Sequence, residues 1–160
     1  MGKTFQLLLL GLLSSGLFFC GCNQQKENQK VSPAPQTVPK RALKIVVPNE
    51  VKDHWKSVEV SIFDHKISAE KTYTIPIGEI IHVPDSPLSL EVDTFLPSFI
   101  IRDNRMTSVS NETRNPAAYI VVKEQKKQVF AGWVFSLYPD AHAFQNSRYD
   151  INLVGYNSTN

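Results

Sequence analysis

Cysteine is almost absent from this sequence, because its 160 residues include only two. Both lie in the stretch Cys20-Gly21-Cys22, at the end of the first apolar run. A zinc site usually needs about four ligands, and a thiol redox pair needs a folded surrounding that tunes its thiolate. The histidines are far apart in sequence and form no HxH or HxxxH pair. The sequence therefore predicts no metal site and no cofactor.

A basic surface is also lacking in most of the chain, although the formal net charge is +2. Residues 1–42 hold five of the 17 basic and one of the 15 acidic residues, which leaves residues 43–160 with a net charge of −2. That part contains no arginine cluster and no stripe of alternating basic and aromatic residues. The sequence therefore predicts no nucleic-acid partner.

The motifs of common hydrolases are missing, since no GxSxG nucleophile elbow occurs. Ser136, Asp140 and His142 suggest a nucleophile, an acid and a base, but the members of a triad usually converge from separated positions. The strand alternation places Ser136 on the face opposite Trp133, and His142 follows Asp140 by only two residues. We therefore predict no catalytic residue. A hydrolase that uses His142 with Asp140 or Ser136 remains a less favoured alternative.

Only one long apolar run occurs, FQLLLLGLLSSGLFF at residues 5–19, and a charged start at Lys3 precedes it. This arrangement is typical of a secretory signal, whereas a membrane-spanning helix needs about 20 apolar residues. The stretch LFFCGC at its end resembles the lipobox of bacterial lipoproteins, in which a small residue precedes the cysteine that is acylated. Gly21 precedes Cys22, whereas the bulky Phe19 precedes Cys20. The resemblance implies a lipoprotein signal peptide at residues 1–21 and a palmitate-type anchor on Cys22.

The residues after Cys22 indicate where the anchor holds the protein. Asn23 follows Cys22, in place of the aspartate associated with retention in the inner membrane, so the resemblance favours the outer membrane, facing the periplasm. Residues 22–42 are polar and include three prolines, a composition that cannot bury enough surface to fold. We predict a disordered tether there, and a single folded domain at residues 43–160.

The folded part shows almost no helical periodicity, but apolar residues repeatedly alternate with polar ones, as in strands with one buried face. The stretches SVEVSIF, KTYTIPI, LSLEVD and YDINLV all follow this pattern. Pro76 lies inside the second, which predicts an edge strand or a shortened one. Seven or eight such strands favour an antiparallel β-sandwich, with a small open β-barrel as the alternative. The predicted core residues are Val58, Val60, Ile62, Tyr73, Ile75, Ile77, Leu88, Leu90, Val92, Tyr149, Ile151 and Leu153.

The stretch AAYIVVKEQKKQVFAGWVFSL predicts a hairpin that turns at residues 124–127, with a central first strand. In its second strand Trp133, Phe135 and Leu137 alternate onto one face, which predicts a structural core there. Gly132 on the other face allows another backbone or an aromatic ring to approach closely. The stretch PDAHAFQ then predicts one helical turn capped by Asp140. As an alternative to a capped and packed corner, Tyr138, His142 and Phe144 form a possible binding surface.

The stretches FLPSF, MTSVSNETRNPAAYIVV and VFAGWVFSLYPDAHAFQNSRYDINLV resemble an uncharacterised family of bacterial exported proteins, over residues 45–154. That family is a domain of unknown function, so the resemblance implies no activity. We predict a non-catalytic binding or accessory domain on an envelope lipoprotein, with an envelope protein or a glycan as its partner. A shorter stretch, NPAA…V…E…VFAGW, is similar to the extracytoplasmic part of cytochrome c assembly proteins. It implies, as an alternative, an accessory role in cytochrome c maturation or envelope electron transfer.

Overall fold

A computed structural model describes residues 42–141 and 144–159. The regular secondary structure of these residues consists of β-strands. The predicted signal peptide, Cys22, nearly all of the predicted tether and His142 lie outside the described residues. The described strands are β1 (Lys44–Ile45), β2 (Trp55–Asp64), β3 (Ala69–Pro76), β4 (Ile80–His82), β5 (Leu88–Leu96), β6 (Phe99–Arg102), β7 (Arg105–Ser108), β8 (Ala117–Glu124), β9 (Lys127–Phe135) and β10 (Tyr149–Ser158).

The strands form three sheets, and all their pairings are antiparallel except that of β1 with β7. The front sheet has the order β10-β2-β3, the central sheet the order β4-β5-β8-β9, and the small sheet the order β1-β7-β6. No barrel closes among these described strands. The predicted all-β class is confirmed, and the architecture is consistent with a β-sandwich rather than with the alternative barrel.

The main core lies between the front and central sheets, and it is formed by the apolar residues that alternate with polar ones along the strands. Residues on one face of each strand are buried, because apolar surface removed from water stabilises the fold by about 25 cal/mol per Å². The front sheet contributes Val58, Val60, Ile62, Ile75, Tyr149, Ile151 and Leu153, and the central sheet contributes Leu88, Leu90, Val92, Phe95, Ala118, Ile120, Val122 and Val134. Tyr73 and Ile77 are only partly buried against this core.

Several detailed predictions are also confirmed. Strand β3 is one edge of the front sheet and ends at Pro76, because proline cannot donate a ladder hydrogen bond. Strand β8 is central, between β5 and β9. The hairpin between β8 and β9 turns at Gln125 and Lys126, which adopt positive φ angles of 48° and 72°. Such a two-residue turn matches the twist of the flanking strands.

A second, smaller core lies on the opposite face of the central sheet. Leu96, Ala117 and Trp133 are buried there against residues of the small sheet, including Phe99 and Met106. Trp133 is 8% exposed, and Phe135 is half-buried. The tryptophan therefore lies in a core, but in one that is separate from the core between the two larger sheets.

One prediction for the end of β9 is wrong. Leu137, which the alternation placed in the core, is 56% exposed because β9 ends at Phe135 and the chain leaves the sheet before reaching Leu137. Where the helical turn is expected to begin, the Ala141 N–H donates to the Tyr138 carbonyl (3.0 Å) and closes a turn. The next two residues of the expected helical turn, His142 and Ala143, lie outside the described residues.

Candidate binding groove beside strand β9

The predicted binding surface at the corner after β9 is not formed as expected. Tyr138 is 60% exposed, but Phe144 is only 5% exposed. The Phe144 ring packs edge-on against Phe130 (5.7 Å between centroids) and belongs to the main core, so its assignment to a surface is wrong. Ser136 and Asp140 line one open cleft of about 510 Å³, together with Asp150. His142 lies outside the described residues.

The segment that leads into β10 is fixed to the end of β2 by an arginine. Arg148 donates from Nε and Nη2 to the Asp64 carboxylate, with distances of 2.8–3.2 Å. Its guanidinium also lies 4.7 Å from the centre of the Tyr149 ring. The His65 N–H donates to the Arg148 carbonyl (2.8 Å). The Arg148 hydrogen bond lowers the pKa of Asp64, and the same contact raises the pKa of Arg148.

This pair makes stability depend on pH in a definite direction. Because the folded pKa of Asp64 lies below its ordinary value of 3.8, ionised Asp64 stabilises the fold above that value. This contribution is lost as the pH falls through the folded pKa. Below about pH 4, urea unfolding should therefore show a steeper loss of stability in the wild type than in Arg148→Met. Arg114→Met is the matched control, because the ion pair of Arg114 with Glu112 is largely exposed. If wild type and Arg148→Met lose stability in parallel, the assignment is wrong.

Strand β9 pairs with β8 on one side, and no other described strand pairs with its outer side from Lys127 to Val134. The Ser136 N–H donates to the Pro116 carbonyl (3.0 Å), so Phe130, Gly132 and Val134, which follow the register shift at Val129, bond to β8. The backbone N–H and C=O groups of Ala131 and Trp133 therefore point away from the sheet. An edge of this kind is a template for another strand.

An apolar groove of about 480 Å³ runs beside this edge, which we call the β9 groove. Its other wall is the small sheet, where Ile101 is 57% exposed. Aromatic rings fix the floor: Phe99 packs on Trp133 (4.9 Å) and on Phe135 (5.2 Å). The Trp133 indole N–H also contacts the Met106 sulfur at 3.0 Å. The groove is lined by Leu43, Phe99, Ile101, Met106, Phe130, Ala131, Gly132, Trp133 and Phe135.

Gly132 is needed where the groove meets the main core. A Cβ atom at this position would lie 2.9 Å from the Phe130 ring, so the missing side chain makes room for that ring. The ring approach predicted for Gly132 is confirmed, and the ring is that of Phe130. Phe130 in turn packs on Phe144, and the two rings help to close the sandwich behind β9.

The groove residues offer little acid–base or metal chemistry. All nine lining side chains are uncharged. Within residues 42–141 and 144–159, no three His, Cys, Asp or Glu side chains are grouped closely enough to hold a metal ion. No helix in those ranges is long and apolar enough to cross a membrane. The β9 groove is therefore suited to binding apolar side chains of another molecule.

Residues 98–155 match the sequence model of a family described as an uncharacterized protein conserved in bacteria (DUF2155). The resemblance seen in the sequence is thus confirmed, over a shorter span than residues 45–154. The match runs from β6 into β10 and includes every residue of the β9 groove except Leu43. No curated protein and no solved structure matches the chain.

Sequence reasoning missed the groove because its two walls come from separate strands. It placed Trp133 and Phe135 correctly on one face of a strand. Phe99, Ile101 and Met106 carry no pattern that identifies them as the opposite wall, because β6 and β7 are only four residues long each. The available signal was the density of aromatic and aliphatic residues on both sides of the polar loop at residues 109–116.

Proposed function

We propose that this chain is a lipid-anchored protein of the bacterial cell envelope that binds a partner protein through the β9 groove. The observation that carries the proposal is the outward edge of β9 at Ala131 and Trp133, which lies along a groove of apolar side chains. The partner would contribute an extended segment that adds to the central sheet as a further strand. Main-chain hydrogen bonds then supply affinity, and the groove selects side chains at alternate positions.

The side chains along the edge favour this mode of binding. Natural edge strands are usually protected by charged residues, by proline or by bulges. Strand β3, one edge of the front sheet, carries Glu70, Lys71 and Pro76. Strand β9 has a bulge at Val129, but it carries no charge and no proline from Gln128 to its end at Phe135. Beyond the bulge, the edge at Ala131 and Trp133 therefore lacks the charges and the proline that protect β3.

The anchor supports a location at the membrane surface. Acylation of Cys22 would hold the chain in the bilayer, and residues 23–42 could span up to roughly 60 Å at about 3.3 Å per residue. The match to a bacterial family agrees with the lipobox resemblance of LFFCGC. A domain on such a tether meets its partners at the membrane surface, where a short linker raises the effective concentration. We propose no catalytic step, and the domain acts by binding.

Site-specific photocrosslinking in intact cells tests this proposal. A photoreactive residue at position 101, in the groove wall, should crosslink to a defined partner protein. Mass spectrometry of the adduct should place the crosslink in an extended, apolar segment of that partner. The same probe at position 67 is the matched control, because Ile67 is an isoleucine of similar exposure (63% against 57%) that does not line the β9 groove.

A second variant tests whether the backbone edge is used. Ala131→Pro removes the outward N–H of an edge position, while the neighbouring bonds to β8 from Phe130 and Gly132 remain available. The crosslink from position 101 should be lost in this variant, provided that circular dichroism shows an intact fold. Equal crosslinking from positions 67 and 101, or an unchanged crosslink in a folded Ala131→Pro, would contradict strand addition.

A further inference from the structure

A second groove lies at the end of the front sheet where β2 begins and β10 ends. It is open to solvent and has a volume of about 680 Å³. This size is within the usual range of ligand sites, about 300–1,000 Å³. We call it the Trp55 groove. It is lined by Trp55, Lys56, Asn111, Glu112, Thr113, Tyr156, Asn157 and Ser158, none of which lines the β9 groove.

Two half-buried rings form the apolar part of this groove, and both are held rigidly. Trp55 and Tyr156 meet edge to face, with 5.5 Å between centroids. Both rest on Phe95, which lies 5.1 Å from Trp55 and is stacked with Tyr156 at 5.3 Å. Rings fixed in this way lose little conformational entropy when a ligand binds, and therefore form a preorganised surface.

A hydrogen bond from a loop fixes the tryptophan further. The Trp55 indole N–H donates to Oδ1 of Asn111 (3.1 Å), and Nδ2 of Asn111 donates to the Glu50 carbonyl. These bonds hold the loop that carries Thr113 beside the rings. Indole N–H groups in apolar surroundings usually find such a partner. The orientation of the ring is therefore set by the protein before any ligand arrives.

Most of the other side chains around the two rings are polar but uncharged. Asn157 donates from Nδ2 to Ser57 and Glu59 (both 3.3 Å), which leaves its Oδ1 as an acceptor. Thr113 is exposed and adds a hydroxyl group. One basic residue, Lys56, and one acidic residue, Glu112, are present, and Glu112 is paired with Arg114. The groove therefore offers hydrogen bonds in several directions but no charged cluster.

We propose that the Trp55 groove binds a glycan, in the form of a linear chain of uncharged pyranose sugars. A pyranose ring presents C–H groups on its faces and hydroxyl groups around its rim. The faces of the sugar can pack on the rings of Trp55 and Tyr156, each of which combines an apolar ring face with one polar group. The rim hydroxyls can bond to amide and hydroxyl groups such as those of Asn157 and Thr113. The open shape of the groove lets a chain longer than one sugar pass through.

Other classes of ligand fit the groove less well. A nucleic acid needs several basic residues to neutralise its phosphates, and only Lys56 is present. An extended peptide needs a strand edge or an apolar trough, whereas half of this lining consists of amide and hydroxyl side chains, those of Asn111, Thr113, Asn157 and Ser158. Amino sugars of a cell-wall polymer and plain hexose polymers share the required chemistry. The experiment must therefore distinguish these two sources.

The test uses the full-length protein in detergent micelles and two soluble probes. One probe is a tetramer of N-acetylglucosamine, and the other is a tetramer of β-linked glucose. Only two tryptophans are present, so Trp133→Phe leaves Trp55 as the only indole fluorophore. Binding should shift the emission of Trp55 to shorter wavelength as the sugar displaces water. A response to the first probe alone indicates amino sugars, and a response to both indicates pyranose chains in general.

Matched variants of the two tryptophans separate this site from the β9 groove. In isothermal titration, Trp55→Phe should weaken binding of the sugar by about tenfold, or about 1.4 kcal/mol. Trp133→Phe should leave sugar binding unchanged. A third variant, Thr113→Glu, should also weaken binding without touching the packed rings. The inference is overturned if neither probe binds, or if folded Trp55→Phe and Thr113→Glu bind as well as wild type. Crosslinking from position 101 is independent of these results, so either proposal can fail alone.

Discussion

Replacing Cys22 with serine is expected to release the protein from the membrane fraction and to abolish incorporation of labelled palmitate. The sulfur of Cys22 is the attachment point that the lipobox resemblance of LFFCGC implies. Each buried methylene of an acyl chain contributes about 0.8 kcal/mol to membrane binding, and stable anchoring takes more than one chain. Cell fractionation followed by immunoblotting measures the effect.

Cys20→Ser provides the matched control for this experiment. The variant removes the other cysteine of the chain, two positions earlier, where Phe19 makes cleavage unfavourable. It should remain in the membrane fraction and should still incorporate palmitate. Release of Cys20→Ser together with retention of Cys22→Ser would show that the wrong cysteine has been assigned.

Replacing Trp133 with alanine is expected to cost about 3–5 kcal/mol of unfolding free energy, as is typical when a buried aromatic side chain is truncated. Trp133 is 8% exposed and packs against Phe99 and Tyr119. Its removal leaves a cavity between the central and small sheets, in the second core that Trp133 forms with Leu96 and its neighbours. Small domains have unfolding free energies of about 5–15 kcal/mol, so the loss is a large fraction of the total. Urea unfolding followed by circular dichroism measures it.

Leu137→Ala is the control, because it truncates an apolar residue that the sequence pattern assigns to the same buried face. Leu137 is 56% exposed, so its loss should change the unfolding free energy by no more than about 0.5 kcal/mol. Similar losses for the two variants would mean that the chain continues as a buried strand beyond Phe135. A small loss for Trp133→Ala would mean that the second core contributes little to stability.

The fold class and the main core follow from local alternation, which explains why the sequence predicts them well. Burying one face of a strand requires apolar residues at every second position, and Val58, Val60 and Ile62 show this directly. The turn between β6 and β7 also has a signal in the sequence, although the alternation of apolar residues does not include it. Asp103 and Asn104 turn with positive φ angles of 50° and 61°, and these two residue types are common in such two-residue turns.

The position of a strand within its sheet is harder to predict, because it depends on pairings between distant parts of the chain. Strand β9 has the apolar composition of a central strand, yet it is an edge, and Val129 is consequently 41% exposed. The same reason applies to the contact of Arg148 with Asp64, which joins residues 84 positions apart. The burial of Phe144 depends in the same way on a tertiary contact, because its ring packs against Phe130.

Mass spectrometry of the mature N-terminus tests most directly whether this domain works at a membrane surface. The account predicts that the protein isolated from cells begins at Cys22, lacks residues 1–21 and has a mass increased by fatty acyl groups on that residue. An intact leader, or a free thiol at Cys22 in a protein recovered from the envelope, would contradict it.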